Sequence, residues 1–159
     1  MEIKYHPIGT IHSPFKDIAG MPIQPSGASG VRGTVEIRPE LAAGLKDLEG
    51  FSHIILLYHF HQVREARLEV VPFMDVEVRG VFSTRAPKRP NPLGLSVVRL
   101  VGIAGNVLHI ENVDVLDGTP LLDIKPYVPE FDQPTEVRVG WLERAKGRVR
   151  RQRSDERFR

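Results

Sequence analysis

The chain has 159 residues, 41% of them hydrophobic, enough for one domain with a core of its own. It contains no cysteine, which excludes disulfides, zinc–thiolate sites and cysteine nucleophiles, and no apolar run approaches the ~20 residues of a membrane-spanning helix. The net charge of +2 is uneven: residues 146–159 hold seven Lys/Arg against two Asp/Glu, and the residues before them hold 15 against 18.

Such a division predicts a folded domain over 1–145 and a basic tail over 146–159 of the kind that contacts nucleic acid. The N-terminus opens into alternating sequence with no signal-peptide pattern, and a cytoplasmic protein is expected. Residues 2–13 alternate Ile3 and Tyr5, then Ile8 and Ile11, with polar neighbours, which predicts a first strand ended by Pro14. Residues 16–33 are rich in Gly, Pro and Ser and read as a long loop. Its GASGVRG lacks the G-x-G-x-x-G spacing of a dinucleotide fingerprint. A short strand over 33–38 precedes a predicted helix from Pro39 to Glu49. Pro39 sits in its first turn, Leu41, Leu45 and Leu48 share a face, and Gly50 stops it.

Residues 51–61 are apolar on both faces, which predicts a central buried strand with His53, His59 and His61 on one side beside Ile55 and Leu57. His59 and His61 form a possible metal pair, with Asp114 or Asp117 as a third ligand; hydrogen-bonded barrel histidines are the favoured alternative. Residues 64–79 suggest one or two short strands around Pro72, and 80–84 a further strand. From Gly80 to Ser96 three prolines stiffen the chain. Five basic residues and no acidic one lie between Arg79 and Arg99, so this stretch reads as a rigid cationic loop suited to an anion or polar ligand.

Residues 95–103 and 107–113 flank Gly105-Asn106 and predict a β-hairpin. Asp117-Gly118 marks a tight turn. Residues 121–127 form a last buried strand with Asp123 and Lys125 on the same face as Leu121 and Tyr127, and 136–142 offer one more. The fold class is therefore all-β or β-rich α+β: a closed β-barrel, which removes exposed strand edges, with a short peripheral helix.

The segment TRAPKRPNPLGLS resembles the TR-x-P-x-RPNP-[IL]-GLS signature of the YaeB-like (TrmO-type) proteins, small β-barrel methyltransferases that use S-adenosylmethionine. The runs LEGFSHIILLYHFHQ and LDGTPLLDIKPYVPEFD match as well, so the resemblance covers roughly residues 8–132. It implies a homodimer with the cofactor near the subunit interface, and methylation of N6 of threonylcarbamoyl-adenosine beside the tRNA anticodon. The cofactor contacts it implies are Pro22, Ile23, Gln24, His61, Gln62, Arg85, Leu95, Leu116, Asp117, Gly118 and Thr119. Ile23 stands where the family has Arg. Lys88 and Arg89 are the corresponding candidates for the carboxylate of the modified base.

A sulfonium methyl is already activated, so the protein must mainly align donor and acceptor and exclude water. Backbone N–H groups of Asp117, Gly118 and Thr119, with the Asp117 carboxylate, suit the amino-acid end of such a cofactor. An exocyclic adenine amine is a poor nucleophile and must lose a proton as the bond forms. Asp123, Lys125 and Tyr127 are the polar cluster available, although an Asp–Lys pair bracing a strand explains the first two equally well, so no general base is assigned. Two other classes compete: a metal-dependent hydrolase using His59 and His61, and a non-catalytic RNA-binding barrel.

Overall fold

Alternation of period two builds the architecture. The structure, a computed structural model, describes residues 1–17, 19, 21, 25–73 and 75–145. Eight strands run in chain order as β1 (Gly9–His12), β2 (Arg32–Ile37), β3 (His53–His59), β4 (Glu69–Val70), β5 (Arg79–Gly80), β6 (Leu93–Ala104), β7 (Val107–Glu111) and β8 (Thr119–Pro126). In β3, Ile54, Leu56 and Tyr58 are buried while the residues between them are half-buried. In β6, Gly94, Ser96, Val98 and Leu100 point inward in the same way. Each strand therefore offers one face to a common interior.

Six strands close that interior as a barrel in the order β1-β2-β7-β6-β3-β8, with β8 returning to β1. Every pairing is antiparallel, and closure leaves no open edge. Ile11, Val35, Ile54, Leu56, Leu108 and Leu121 are fully buried at its centre. Strands β4 and β5 form a separate two-stranded ribbon under which Val70, Val81 and Ala86 pack as a satellite cluster. Among the described residues no helix is long and apolar enough to cross a membrane.

Two glycines have identifiable work. Gly105, at φ 64, is the first of two residues between β6 and β7, where a tight hairpin turn requires a positive φ. Gly94 lies against the Tyr58 and Phe60 rings, and a Cβ there would overlap both. That close approach seats the Tyr58 ring, which meets Phe60 edge-on at 5.6 Å.

Several elements differ from the sequence expectations. The peripheral helix is two 3₁₀ pieces, Pro39–Leu45 and Leu48–Gly50, separated where Asp47 takes φ 68. Leu45 and Leu48, the last residue of one piece and the first of the next, pack on the core while Leu41 is 42% exposed. Residues 2–8 lie outside any strand with Ile3 and Tyr5 exposed, since pairing with β2 begins only at Gly9, and of β1 only Gly9, Thr10 and Ile11 pair on both sides. Residues 81–83 make a 3₁₀ turn rather than a strand, and the expected strand over 136–142 is replaced by a 3₁₀ helix from Gly140 to Ala145.

Substituting Gly94→Ala should cost about 1–3 kcal/mol by overpacking. Gly44→Ala, whose new methyl would meet nothing within 4 Å, serves as the control and should be near neutral. Parallel denaturant unfolding curves check both.

Candidate functional site

The proline-rich loop is braced from within. Thr84 Oγ1 donates to Val81 O (2.9 Å) and accepts from the Ala86 N–H (3.2 Å). Arg89 Nη1 donates to Thr84 O (2.8 Å) and Ala86 O (3.0 Å). Backbone bonds from Phe60 N to Pro92 O (2.8 Å) and from Arg67 N to Lys88 O (3.0 Å) tie the loop to its surroundings. With proline fixing φ at three positions, this is a rigid platform.

Its charge is less open than the local sequence suggests. Arg79 pairs with Asp75 (2.6 Å) and Glu77 (3.2 Å) and lies 5.6 Å from the Trp141 ring. Arg99 faces Glu111 at 3.7 Å. Lys88 is only 6% exposed, with Nζ 3.9 Å from Glu65. Acidic residues outside the run thus meet a run that has none of its own: Asp75 and Glu77 from just before it, Glu65 and Glu111 from farther along the chain. Lys88 and Arg89, expected to meet a substrate carboxylate, are respectively buried and committed to loop carbonyls.

A buried polar chain joins β3 and β6 to the segment after β7. Tyr58 Oη is 2.8 Å from Ser96 Oγ, and Ser96 Oγ donates to Asp114 Oδ1 at 2.7 Å. With the one Ser96 hydrogen given to Asp114, the phenol is left to donate to Ser96. All three residues are buried. Burial pushes the Asp114 carboxyl up to about 7, against the Ser96 hydrogen bond, a backbone N–H and the positive charge of Arg85. Burial, then the Asp114 charge, raises the Tyr58 phenol, while Ser96 and Arg85 oppose. Sequence reasoning considered Asp114 only as a metal ligand and passed over Tyr58 and Ser96. The available signal was their inward parity, polar residues falling among Leu56, Val98 and Leu100.

The Asp-Gly-Thr turn sits against the residues after β1. Asp117 N donates to Phe15 O (2.7 Å), Gly118 N to Ile11 O (2.9 Å) and Thr119 N to Leu116 O (3.3 Å). Thr119 Oγ1 also donates to Leu116 O at 2.6 Å. The three N–H groups expected to serve a cofactor are therefore spent on the chain itself, because the turn stitches the barrel shut beside β1. The Asp117 carboxylate accepts from Lys16 Nζ (2.6 Å) and Ser13 N (3.0 Å), and these bonds hold it below the usual carboxylate range.

Leu95 points outward from β6, 46% exposed, opposite Leu57, which in turn faces Asp123. Asp123 shares this outer surface because of a bulge: Tyr58 pairs with Leu121 but Leu57 pairs with Asp123, so one extra residue reverses the parity of β8. Leu121 faces the core, whereas Asp123 and Lys125 form an outer ion pair at 3.1 Å with both side chains well exposed. The shared face expected for Leu121, Asp123 and Lys125 is thereby corrected. Tyr127 lies just past the far end of β8, edge-on to His53 at 6.3 Å.

His53 and His59 share the outer, half-buried face of β3, and His61 and Gln62 follow in an exposed turn, so the three histidines do not line one buried strand. Desolvation and the nearby His59 lower the His61 imidazole. Among the described residues no three His, Asp or Glu side chains group closely enough to hold a metal ion. Pro22, Ile23, Gln24 and the 146–159 tail lie outside the described residues.

A small antiparallel barrel with a braced loop and a buried carboxylate is thus the class of domain that fold and site define. Residues 10–133 match the family model described as the tRNA-methyltransferase O N-terminal domain, and the chain belongs to that family. It is 60% identical to a probable S-adenosyl-L-methionine-binding protein of Pyrococcus abyssi, over 98% of this chain and 85% of that protein. The tRNA (adenine(37)-N6)-methyltransferase of Homo sapiens is 37% identical over 82% of this chain and 31% of its own length. The crystal structure of TrmO from Pseudomonas aeruginosa superposes with a TM-score of 0.75 at 42% identity, over 89% of this chain. This chain spans 63% of that solved structure.

Asp114 gives a pH test of the site. A carboxyl raised from 3.8 to about 7 on folding binds its proton more tightly in the folded state, so it favours folding at low pH and loses that contribution as pH rises towards 7. The wild type should lose stability relative to Asp114→Asn between about pH 4 and pH 7, with no further divergence above pH 8. Melting temperatures of both proteins across that range measure the difference.

Proposed function

We propose that this protein is an S-adenosylmethionine-dependent methyltransferase acting on N6 of threonylcarbamoyl-adenosine in tRNA. The observation that carries the reading is the match of residues 10–133, the barrel from the second residue of β1 onward, to the tRNA-methyltransferase O N-terminal domain. The names of relatives support both parts: S-adenosyl-L-methionine binding and tRNA adenine-37 N6 methylation.

The residues present suit such a cofactor. Its carboxylate calls for a cation, supplied by Arg85; its ammonium calls for an acceptor, supplied by Asp117; its apolar surface finds the outward Leu95 beside Leu57. His61 and Gln62 complete the described part of the set, with Pro22, Ile23 and Gln24 proposed from outside it. When bound, the cofactor supplies a methyl group on a good leaving group. The chain's own task is to hold the adenine amine in line and give its proton an acceptor. Asp123, on the same outer surface as Leu95, is better placed for that than Tyr127. Of the two candidates for the substrate carboxylate, Arg89 remains half-exposed and Lys88 does not.

Residues 140–145 lie against the base of the loop, where Trp141 Nε1 donates to Ser83 O at 2.8 Å. The basic residues 146–159 follow directly in sequence, which supports tRNA phosphate contact by loop and tail together. A homodimer acting in the cytoplasm completes the proposal.

Labelled S-adenosylmethionine incubated with tRNA should label the threonylcarbamoyl-bearing form and not the unmodified one. Equal labelling of both would refute the substrate, and labelling of neither would favour a binding module. Arg85→Ala should weaken cofactor binding by about 1.5–3 kcal/mol, the worth of a charge-assisted hydrogen bond, read by calorimetry. Deleting 146–159 should flatten the log-affinity against log-salt slope for tRNA by roughly 0.7–0.9 per lost phosphate contact, leaving cofactor affinity unchanged.

A further inference from the structure

From Thr84 to Arg89 the proline-rich loop alternates like a strand. Thr84, Ala86 and Lys88 are buried, while Arg85 is exposed and Pro87 and Arg89 are half-exposed. Just before it, the 3₁₀ turn Val81–Ser83 adds one more outward side chain, Phe82, which is 76% exposed. Single exposed apolar residues are ordinary on a protein surface, but this one is held out by a turn fixed on both sides. Val81 is buried against Val70 and Ala86, and its N–H donates to Leu68 O at 2.8 Å. Ser83 Oγ donates to Gly80 O (2.8 Å), and Ser83 O accepts from Trp141 Nε1 (2.8 Å). The phenyl ring is therefore presented on braced backbone.

We propose that Phe82 is a stacking platform for an unpaired RNA base beside the target adenosine. This rests on the tRNA reading above. The ionic side chains between Gly80 and Asn91 are all cationic, and the acids around them are already engaged. Asp75 and Glu77 hold Arg79 at 2.6 and 3.2 Å, and Glu65 faces Arg67 at 3.2 Å and Lys88 at 3.9 Å. A fixed aromatic ring at the end of a cationic edge fits a partner with negative charge and flat π faces. An RNA loop supplies both, since its bases can be splayed out and stacked on aromatic side chains. Position fits as well. Phe82 precedes Arg85, assigned above to the cofactor, by three residues, at most about 11 Å of extended chain. A base on the Phe82 ring is thus a near neighbour of the base being methylated, and a ring already held in place loses little freedom on binding.

The test uses the full chain, labelled tRNA and substitutions at this one position. Phe82→Ala and Phe82→Leu should bind tRNA about 5–100-fold more weakly, the worth of one stacked base, while Phe82→Trp keeps wild-type affinity. The slope of log affinity against log salt should be the same in every variant, because stacking releases no counterions. An abasic nucleotide at one of the two positions flanking the target adenosine should bring the wild type down to the level of Phe82→Ala and leave that variant unchanged. Emission of Phe82→Trp should change on tRNA binding more than that of the wild type, whose single tryptophan is Trp141. Wild-type affinity in Phe82→Ala, or full rescue by Phe82→Leu, would overturn the proposal. So would a Phe82→Ala protein that sediments as a smaller species than the wild type, which would assign the ring to a contact between copies of this chain. A wild type that binds no tRNA would end the function reading and this one together; tRNA methylated by the wild type and bound equally well by Phe82→Ala would end this one alone.

Discussion

The return of β8 to β1 is the contact on which the rest depends. Ile11 opposite Thr119 and Gly9 opposite Leu121 convert an open sheet into a barrel, so that both edges are paired and a single interior is sealed. The same closure sets the site. Gly118 N reaches Ile11 O, Asp117 N reaches Phe15 O, and the Asp-Gly-Thr turn becomes the seam of the barrel. The Asp117 and Gly118 N–H groups are consumed in that seam and the Thr119 N–H within the turn, which leaves the Asp117 carboxylate as the polar group the turn presents.

A second constraint acts through parity. Within β8 one extra residue separates the pairings of Tyr58 and Leu57, and the strand changes face at that point. Leu121 is thereby core and Asp123 outer surface, adjacent across β3 to the row that ends in Leu95. A bulge redirects side chains at the loss of little more than one ladder pairing. Here it moves an Asp–Lys pair out to water, where such a pair adds little to stability.

Inside, the cost runs the other way. Tyr58, Ser96 and Asp114 are fully hydrogen-bonded, and among the described residues no buried side-chain polar atom lacks a partner. Satisfaction removes the penalty of unmade bonds but not that of desolvating a carboxylate. The Asp114 carboxyl near 7 records that remaining penalty. The 80–96 loop, pinned by three prolines and the Arg89 brace, is held by its own hydrogen bonds.

The chain alone was enough for the barrel, the hairpin at Gly105-Asn106, the stiffness of the 80–96 loop and the family. Each of these is written in local pattern: alternation, a turn dipeptide, fixed proline dihedrals and a long ordered signature. Tertiary structure alone decided which face Asp123 occupies, which acids face Lys88 and Arg99, and that the turn's N–H groups are spent. It also decided that the 39–50 segment winds as 3₁₀ pieces around two anchoring leucines, and that Tyr58, Ser96 and Asp114 meet. Those outcomes depend on which strands lie side by side and on one residue of register, and a periodic pattern carries no record of the partner strand.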